Sequence, residues 1–212
     1  MKGIFITAEG TDGAGKSTQI KLLTEYLSQK GYSVVLTREP GGTQIGEKIR
    51  DLILDSSNTA MTNETEALLY AAARAQHVAE KIIPALKDGK VVICDRFIDS
   101  SFVYQGFARK LGVNFIQQIN ETALNRLQPE LTLYFDLSPE VGIGRKKNMQ
   151  ELDRMERESA MFHQRVYDGY QKLAEEYPER IKKIDADRSI GEVHQAVVAE
   201  IDQLLAKRRK DV

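Results

Sequence analysis

The 212-residue chain has a single cysteine, so no pair exists from which a disulfide framework or a thiolate metal cluster could be built. That cysteine, Cys94, sits within the apolar run Val91-Val92-Ile93-Cys94, where a small core residue is expected rather than a nucleophile. No apolar run approaches the roughly 20 residues that a membrane-spanning helix needs, and the first residues lead straight into a strand without a signal-peptide pattern. The expectation is a cytoplasmic protein with no membrane partner. Neither sign of charge is in excess: 30 Lys and Arg face 31 Asp and Glu. This balance argues against nucleic acid as the main partner but leaves room for a local basic cluster around a small anion. Internal repeats, linkers and low-complexity segments are also lacking, and 42% hydrophobic residues can build the core of one domain over residues 1–212.

The chain is organised around Gly10-Thr11-Asp12-Gly13-Ala14-Gly15-Lys16-Ser17, followed by Thr18. It lies between an apolar run over 3–8, which reads as a buried strand, and a segment over 18–30 that places Ile20, Leu23 and Leu27 on one helical face. Glycines at a strand-to-helix turn allow backbone N–H groups and a helix N-terminus to face an anion. In that setting Lys16 reaches the terminal phosphates of ATP and the Ser17 hydroxyl ligates Mg²⁺.

Strand and helix alternate thereafter. Strands are expected over 32–37, 90–95, 131–137 and 180–185. Helices are expected over 46–54, from an Asn63 cap with Glu66 three positions on until Pro84 interferes, over 100–108 and 114–127, after Ser138-Pro139, up to Tyr177, and after a Ser189/Glu192 capping box. Such alternation implies an α/β fold with a five-stranded parallel sheet, helices on both faces, and the ligand at the carboxyl ends of the strands. Charged residues fall where this demands, with Arg38-Glu39 after the second strand and Asp95-Arg96 ending the third. Asp95 has the position of a carboxylate that holds Mg²⁺ or its waters, and Arg96 offers a bidentate donor to a second phosphate.

The phosphate loop with Asp12 inside it, Arg38-Glu39-Pro40-Gly41-Gly42-Thr43, Tyr70 to His77, Asp95-Arg96-Phe97 with Ser100-Ser101 and Tyr104-Gln105-Gly106, and Glu151-Leu152-Asp153-Arg154 together resemble bacterial thymidylate kinase. Their order and spacing match from residue 3 to about 188, and the family fold is that of the P-loop nucleoside monophosphate kinases.

The resemblance implies transfer of the ATP γ-phosphoryl group to dTMP, with Mg²⁺, in a homodimer. It puts Arg38, Arg50 and Arg96 around the acceptor phosphate, Asp12 on the sugar 3′-hydroxyl, and Glu39 by the metal or its waters. It further puts Tyr70 on the face of the base, Arg74, Ser101 and Gln105 on the ring's polar edge, and Tyr104 against the sugar. Residues 145–157 read as a mobile basic lid, of the type that supplies arginine when the phosphate loop does not. In this lid Arg154 is the expected catalytic group beside Lys16 and Arg96, and Arg145 lies nearer the adenine; Lys147 and Met149 stand at positions often occupied by Arg. From the residues alone, another small-molecule kinase or a nucleotide-driven switch stays open, although the Asn-Lys-x-Asp string of guanine readers is missing.

Overall fold

The computed structural model describes residues 3–146 and 153–210. Five strands form one parallel sheet: β1 (Ile4–Gly10), β2 (Val34–Arg38), β3 (Val91–Asp95), β4 (Leu131–Asp136) and β5 (Ile181–Asp185), in the order β2-β3-β1-β4-β5. The three central strands are buried almost throughout because both faces are covered; the edge strands β2 and β5 carry half-exposed and exposed positions, including Lys182 and Lys183.

On one face, β1 and β4 residues such as Ile6, Leu133 and Phe135 pack on Leu23 and Leu27 of α1 (Lys16–Gln29) and on Val197 and Ile201 of α9 (Ile190–Lys210). The opposite face buries Phe5, Val92 and Cys94 against Ile82 and Ile116, under α3 (Asn63–His77) and α6 (Val113–Leu124). A third cluster joins Tyr134 of β4 to Phe162, Val166 and Tyr170 of α8 (Ala160–Glu176). Each fully buried Leu, Ile or Phe contributes about 1.5–3 kcal/mol, so these clusters are what hold the strand ends in register.

Sequence expectation and structure differ at several boundaries. Thr62, not Asn63, caps α3 by accepting the N–H of Thr65, and Glu66 is drawn away from the cap toward arginines distant in sequence. Pro84 does not stop the helix. A π-helical turn over Val78–Ile82 lets the Ile83 N–H reach the Val78 carbonyl, and α4 (Ile83–Lys87) continues directly from that wider turn with Pro84, which has no N–H to donate, as its second residue. The short helix α5 (Ile98–Ser101) also runs into a π-helical stretch, Phe102–Ala108, and α6 ends at Leu124 because Asn125 and Arg126 adopt positive φ. α2 (Gln44–Leu54) begins two residues earlier than expected, capped by Thr43. The Ser189/Glu192 capping box forms as expected, with the Ser189 N–H donating to Glu192 at 3.0 Å and the Glu192 N–H to Ser189 at 3.3 Å. No helix among the described residues is long and apolar enough to cross a membrane.

Candidate active site

Because all strands point the same way, their carboxyl ends open on one edge of the sheet, and a cleft of about 540 Å³ lies there. The phosphate loop forms its floor. Gly15 is left-handed at φ 81° and starts α1, so the first N–H groups of that helix face the cleft. Gly13 is also left-handed, at φ 78°, and a Cβ there would collide with the backbone carbonyl of Gly142 in α7 (Pro139–Lys146). That close approach leaves no room for a side chain in this part of the loop.

Lys16 is buried, and its Nζ donates to the carbonyls of Gly10 at 3.0 Å and Thr11 at 2.8 Å. Burial, with the Arg96 charge second, brings its ammonium down to about 8. The Thr11 hydroxyl is turned away to the Leu137 carbonyl, so Gly10 and Thr11 contribute backbone only.

Arg96 follows β3 at φ 65° and lies over the Tyr104 ring, with its Cζ 5.2 Å from the centroid. Its Nη2 donates to Asp12 at 2.8 Å, and its Nη1 faces Ser100 and the Tyr170 hydroxyl at 3.4 and 3.3 Å. Beneath them Glu9, the penultimate residue of β1, is fully buried and accepts from the Ser100 and Tyr170 hydroxyls and from the Phe97 N–H. The two hydroxyl oxygens also lie 2.9 Å apart, so Glu9, Ser100 and Tyr170 form one network whose hydroxyl oxygens accept from Arg96. Burial, and then the neighbouring Asp99 charge, raise Glu9 to about 7.

The side wall is built on α3, α5 and the π-helical stretch that follows. Tyr70, Arg74, Ser101, Tyr104 and Gln105 all line it. Arg74 is buried and donates to Glu39 at 2.7 Å, Asn120 at 2.6 Å, Ser101 at 3.0 Å and the Phe97 carbonyl at 3.2 Å. Gln105 donates its amide N–H to Glu66 at 2.9 Å. Arg38 and Arg50 reach the cleft from β2 and α2, Arg38 paired with Glu47 at 2.7 Å and Arg50 donating to the Pro40 carbonyl at 2.9 Å. Arg145 lines the cleft too, 3.3 Å from Asp187.

A family model described as thymidylate kinase matches residues 8–197, a span that holds every residue lining this cleft. The chain belongs to the thymidylate kinase family. It is 52% identical over 198 residues to a curated thymidylate kinase of Clostridium novyi (strain NT), covering 92% of this chain and 97% of that one. It is likewise 52% identical over 207 residues to one of Geobacillus sp. (strain WCH70), covering 96% and 99%. Among solved structures, thymidylate kinase from Ehrlichia chaffeensis superposes with a TM-score of 0.77 at 35% identity, covering 95% of this chain and 99% of that chain.

In this member of the thymidylate kinase family most of the expected site residues converge on the cleft, while Gly10, Thr11 and Arg154 are not among the residues that line it. Lys16 and Arg96 line the cleft, but Arg154 does not: its Nη2 donates to buried Glu66 at 2.7 Å and its Nε to the Ile53 carbonyl at 2.7 Å. Positions Lys147, Met149, Glu151 and Leu152 of the expected lid lie outside the described residues.

Among the described residues no group of three or more His, Cys, Asp or Glu side chains is arranged to hold a metal. Mg²⁺ at a nucleotide site takes one or two carboxylates, with phosphate oxygens and water supplying the rest. Asp95 Oδ1 is buried without a hydrogen-bond partner among the described residues, which fits a ligand to the ion or to its water. Glu39 fits less well, since Arg74 and His77 occupy its two oxygens.

Residues that sequence reasoning passed over include Glu9, Glu66, His77, Asn120 and Tyr170, all buried or partly buried around the cleft. Glu9 carried a readable signal, an acidic residue near the end of an apolar strand, the same pattern that picked out Asp95.

Proposed function

We propose that this chain transfers the γ-phosphoryl group of ATP to the 5′-phosphate of dTMP, giving dTDP and ADP. One observation supports this most directly: a phosphate loop with Lys16 shares its cleft with Arg38, Arg50 and Arg96 and with a wall of Tyr70, Arg74, Tyr104 and Gln105. Three arginines suit an acceptor that is already a phosphate ester, and the wall suits a flat ring with polar edges.

The acceptor oxygen is anionic before reaction, so no general base is needed. In-line positioning and neutralisation of the developing charge carry the catalysis. Lys16 and the loop N–H groups hold the donor phosphates, and Arg96 reaches the acceptor phosphate and the group in transit. Asp12 holds the sugar 3′-hydroxyl and Tyr104 packs on the sugar. Arg74, Ser101 and Gln105 read the base that Tyr70 stacks upon, and Arg145 lies toward the adenine. Asp95 and Ser17 would hold Mg²⁺ or its water, and when bound the ion offsets phosphate charge. A homodimer in the cytoplasm, and one kinase domain over 1–212, belong to the same proposal.

The test is ADP release in a coupled assay across dTMP, dUMP, dCMP, thymidine and no acceptor. The thymine methyl is one apolar group worth about 0.8 kcal/mol, so dUMP should be roughly fourfold poorer. dCMP should be far poorer, because it leaves buried polar groups of the wall unpaired. Turnover of thymidine but not dTMP, or hydrolysis without acceptor, would overturn the reading.

A further inference from the structure

A buried polar chain lies behind Arg74. Arg74 has five N–H donors, and four are taken by Glu39, Asn120, Ser101 and the Phe97 carbonyl. One Nη1 N–H is left without a protein partner among the described residues, on a side chain that lines the cleft. What aims that N–H is the grip on the rest of the guanidinium. Its Nε is held by Glu39 Oε2 at 2.7 Å, and the other oxygen of Glu39 lies 2.9 Å from His77 Nδ1. A carboxylate oxygen accepts, so Nδ1 donates to Glu39, and the other ring nitrogen, Nε2, is hydrogen-bonded to the Thr37 hydroxyl at 2.6 Å.

Each member is fixed from outside. His77 is fully buried at the end of α3, and Thr37 belongs to β2. Gly42, at φ 80°, seats the Arg38–Thr43 loop directly on the pair: a Cβ there would lie 2.7 Å from both His77 Nε2 and Thr37 Oγ1. The same loop carries Pro40, whose carbonyl holds Arg50. Thr37, His77, Glu39 and Arg74 thus form one hydrogen-bonded line from the edge of the sheet to the wall of the cleft.

We propose that Glu39 and His77 are positioning residues for Arg74, acting through it on recognition of the acceptor base. This rests on the reading of the cleft as a dTMP site. It differs from the expectation that Glu39 serves the metal. A tilt of the guanidinium changes where the remaining N–H points without touching the phosphate loop, so the effect should fall on acceptor selection and spare ATP.

The test compares the parent enzyme with His77→Leu, His77→Gln, Glu39→Gln and Thr37→Val. Measured quantities are kcat and KM for dTMP and ATP, the ratio of kcat/KM for dTMP over dCMP, and the Mg²⁺ concentration at half-maximal rate. His77→Leu and Glu39→Gln should raise KM for dTMP and shrink the dTMP-over-dCMP ratio, each by about tenfold, the worth of one hydrogen bond to a charged group. KM for ATP and the Mg²⁺ midpoint should stay within about twofold, a change too small to represent a lost hydrogen bond. His77→Gln keeps one donor and one acceptor and should recover most of the loss. Thr37→Val removes only the outermost O–H and should move the ratio by about threefold in the same direction, which keeps the test open if His77→Leu does not fold.

Unchanged dTMP-over-dCMP ratios in folded variants would overturn the inference. So would a Glu39→Gln enzyme whose Mg²⁺ midpoint shifts while the ratio holds. A parent enzyme that turns over no dTMP overturns the underlying reading of the cleft, and with it this one. A parent active on dTMP with unmoved variants removes this inference alone.

Discussion

Arg96 Nη2 donates to Asp12 Oδ1 across 2.8 Å, tying the end of β3 to the phosphate loop. Two residues 84 positions apart therefore sit at the junction where donor and acceptor phosphates would meet. Their charges offset each other in the protein alone, and a phosphate arriving from either side competes with Asp12 for the guanidinium. Arg96→Ala should lower kcat by on the order of 10²–10³, the usual cost of losing one donor to developing charge. Arg96→Lys should recover only part of it, because a point charge cannot span two oxygens as a fork does. A coupled ADP assay with saturating dTMP checks both, and an alanine variant with near-parent kcat would remove Arg96 from the reacting centre.

Arg154 is anchored rather than aimed at the cleft. Its guanidinium shares buried Glu66 with Arg109, and its backbone N–H donates to the Leu54 carbonyl at 3.1 Å, so residue 154 is pinned to the end of α2. Arg154→Ala should cost about 1.5–3 kcal/mol in urea unfolding, the range for a hydrogen bond to a charged group. Turnover should stay within about tenfold of the parent, against the roughly thousandfold loss expected of an arginine that stabilises the transferring phosphoryl. A thousandfold drop in kcat with an unmoved unfolding midpoint would return Arg154 to that role.

The contrast between these two arginines marks how far sequence carries. Arg96 follows an apolar strand, and the carboxyl end of a parallel strand has one destination, so its place at the site is legible from pattern alone. Arg154 lies in a charged stretch with no periodicity, and its partner Glu66 is 88 positions away. Nothing local distinguishes it from a residue that faces the cleft. Glu66 shows the same limit from the other side: three positions after Asn63 it reads as half of a capping box, yet Arg109, Arg154 and Gln105 claim it. The course of the helix through Pro84 escaped for a different reason, since a π-helical turn supplies a bond pattern that a 3.6-residue periodicity does not contain.

Lys16 makes ATP capture sensitive to pH. Its ammonium is brought from the ordinary 10.5 down to about 8, first by burial and then by Arg96. A lysine whose folded value lies below its unfolded one costs stability while charged, fully below pH 8, and that cost fades between about 8 and 10.5. Bound phosphates reverse the balance by favouring the charged form. So kcat/KM for ATP, which reports the free enzyme, should fall as pH rises through about 8, while kcat at saturating ATP holds to higher pH. Parallel pH profiles of the two quantities across this window would show that Lys16 is not the group that titrates.

Glu9 makes an opposite and separable prediction, on stability. Its carboxyl rises from 4.5 to about 7, first through burial and then through Asp99. Between these values the folded chain binds more protons than the unfolded one, so this group's contribution to stability declines as pH climbs from 4.5 to 7 and is level above. Glu9→Gln does not titrate, and other ionisable groups largely cancel when it is compared with the parent. The difference in unfolding free energy, variant minus parent, should therefore become more positive from pH 5 to pH 7 and then flatten, as measured by urea melts at each pH. The amide presents an N–H₂ to the Ser100 and Tyr170 hydroxyls in place of a carboxylate oxygen, so the network whose hydroxyl oxygens accept from Arg96 must rearrange. The variant should be relatively more stable at neutral pH and yet slower in turnover. A stability difference that does not change with pH would mean that Glu9 is already ionised throughout the range, and the network beneath Arg96 would then be held by a permanent charge.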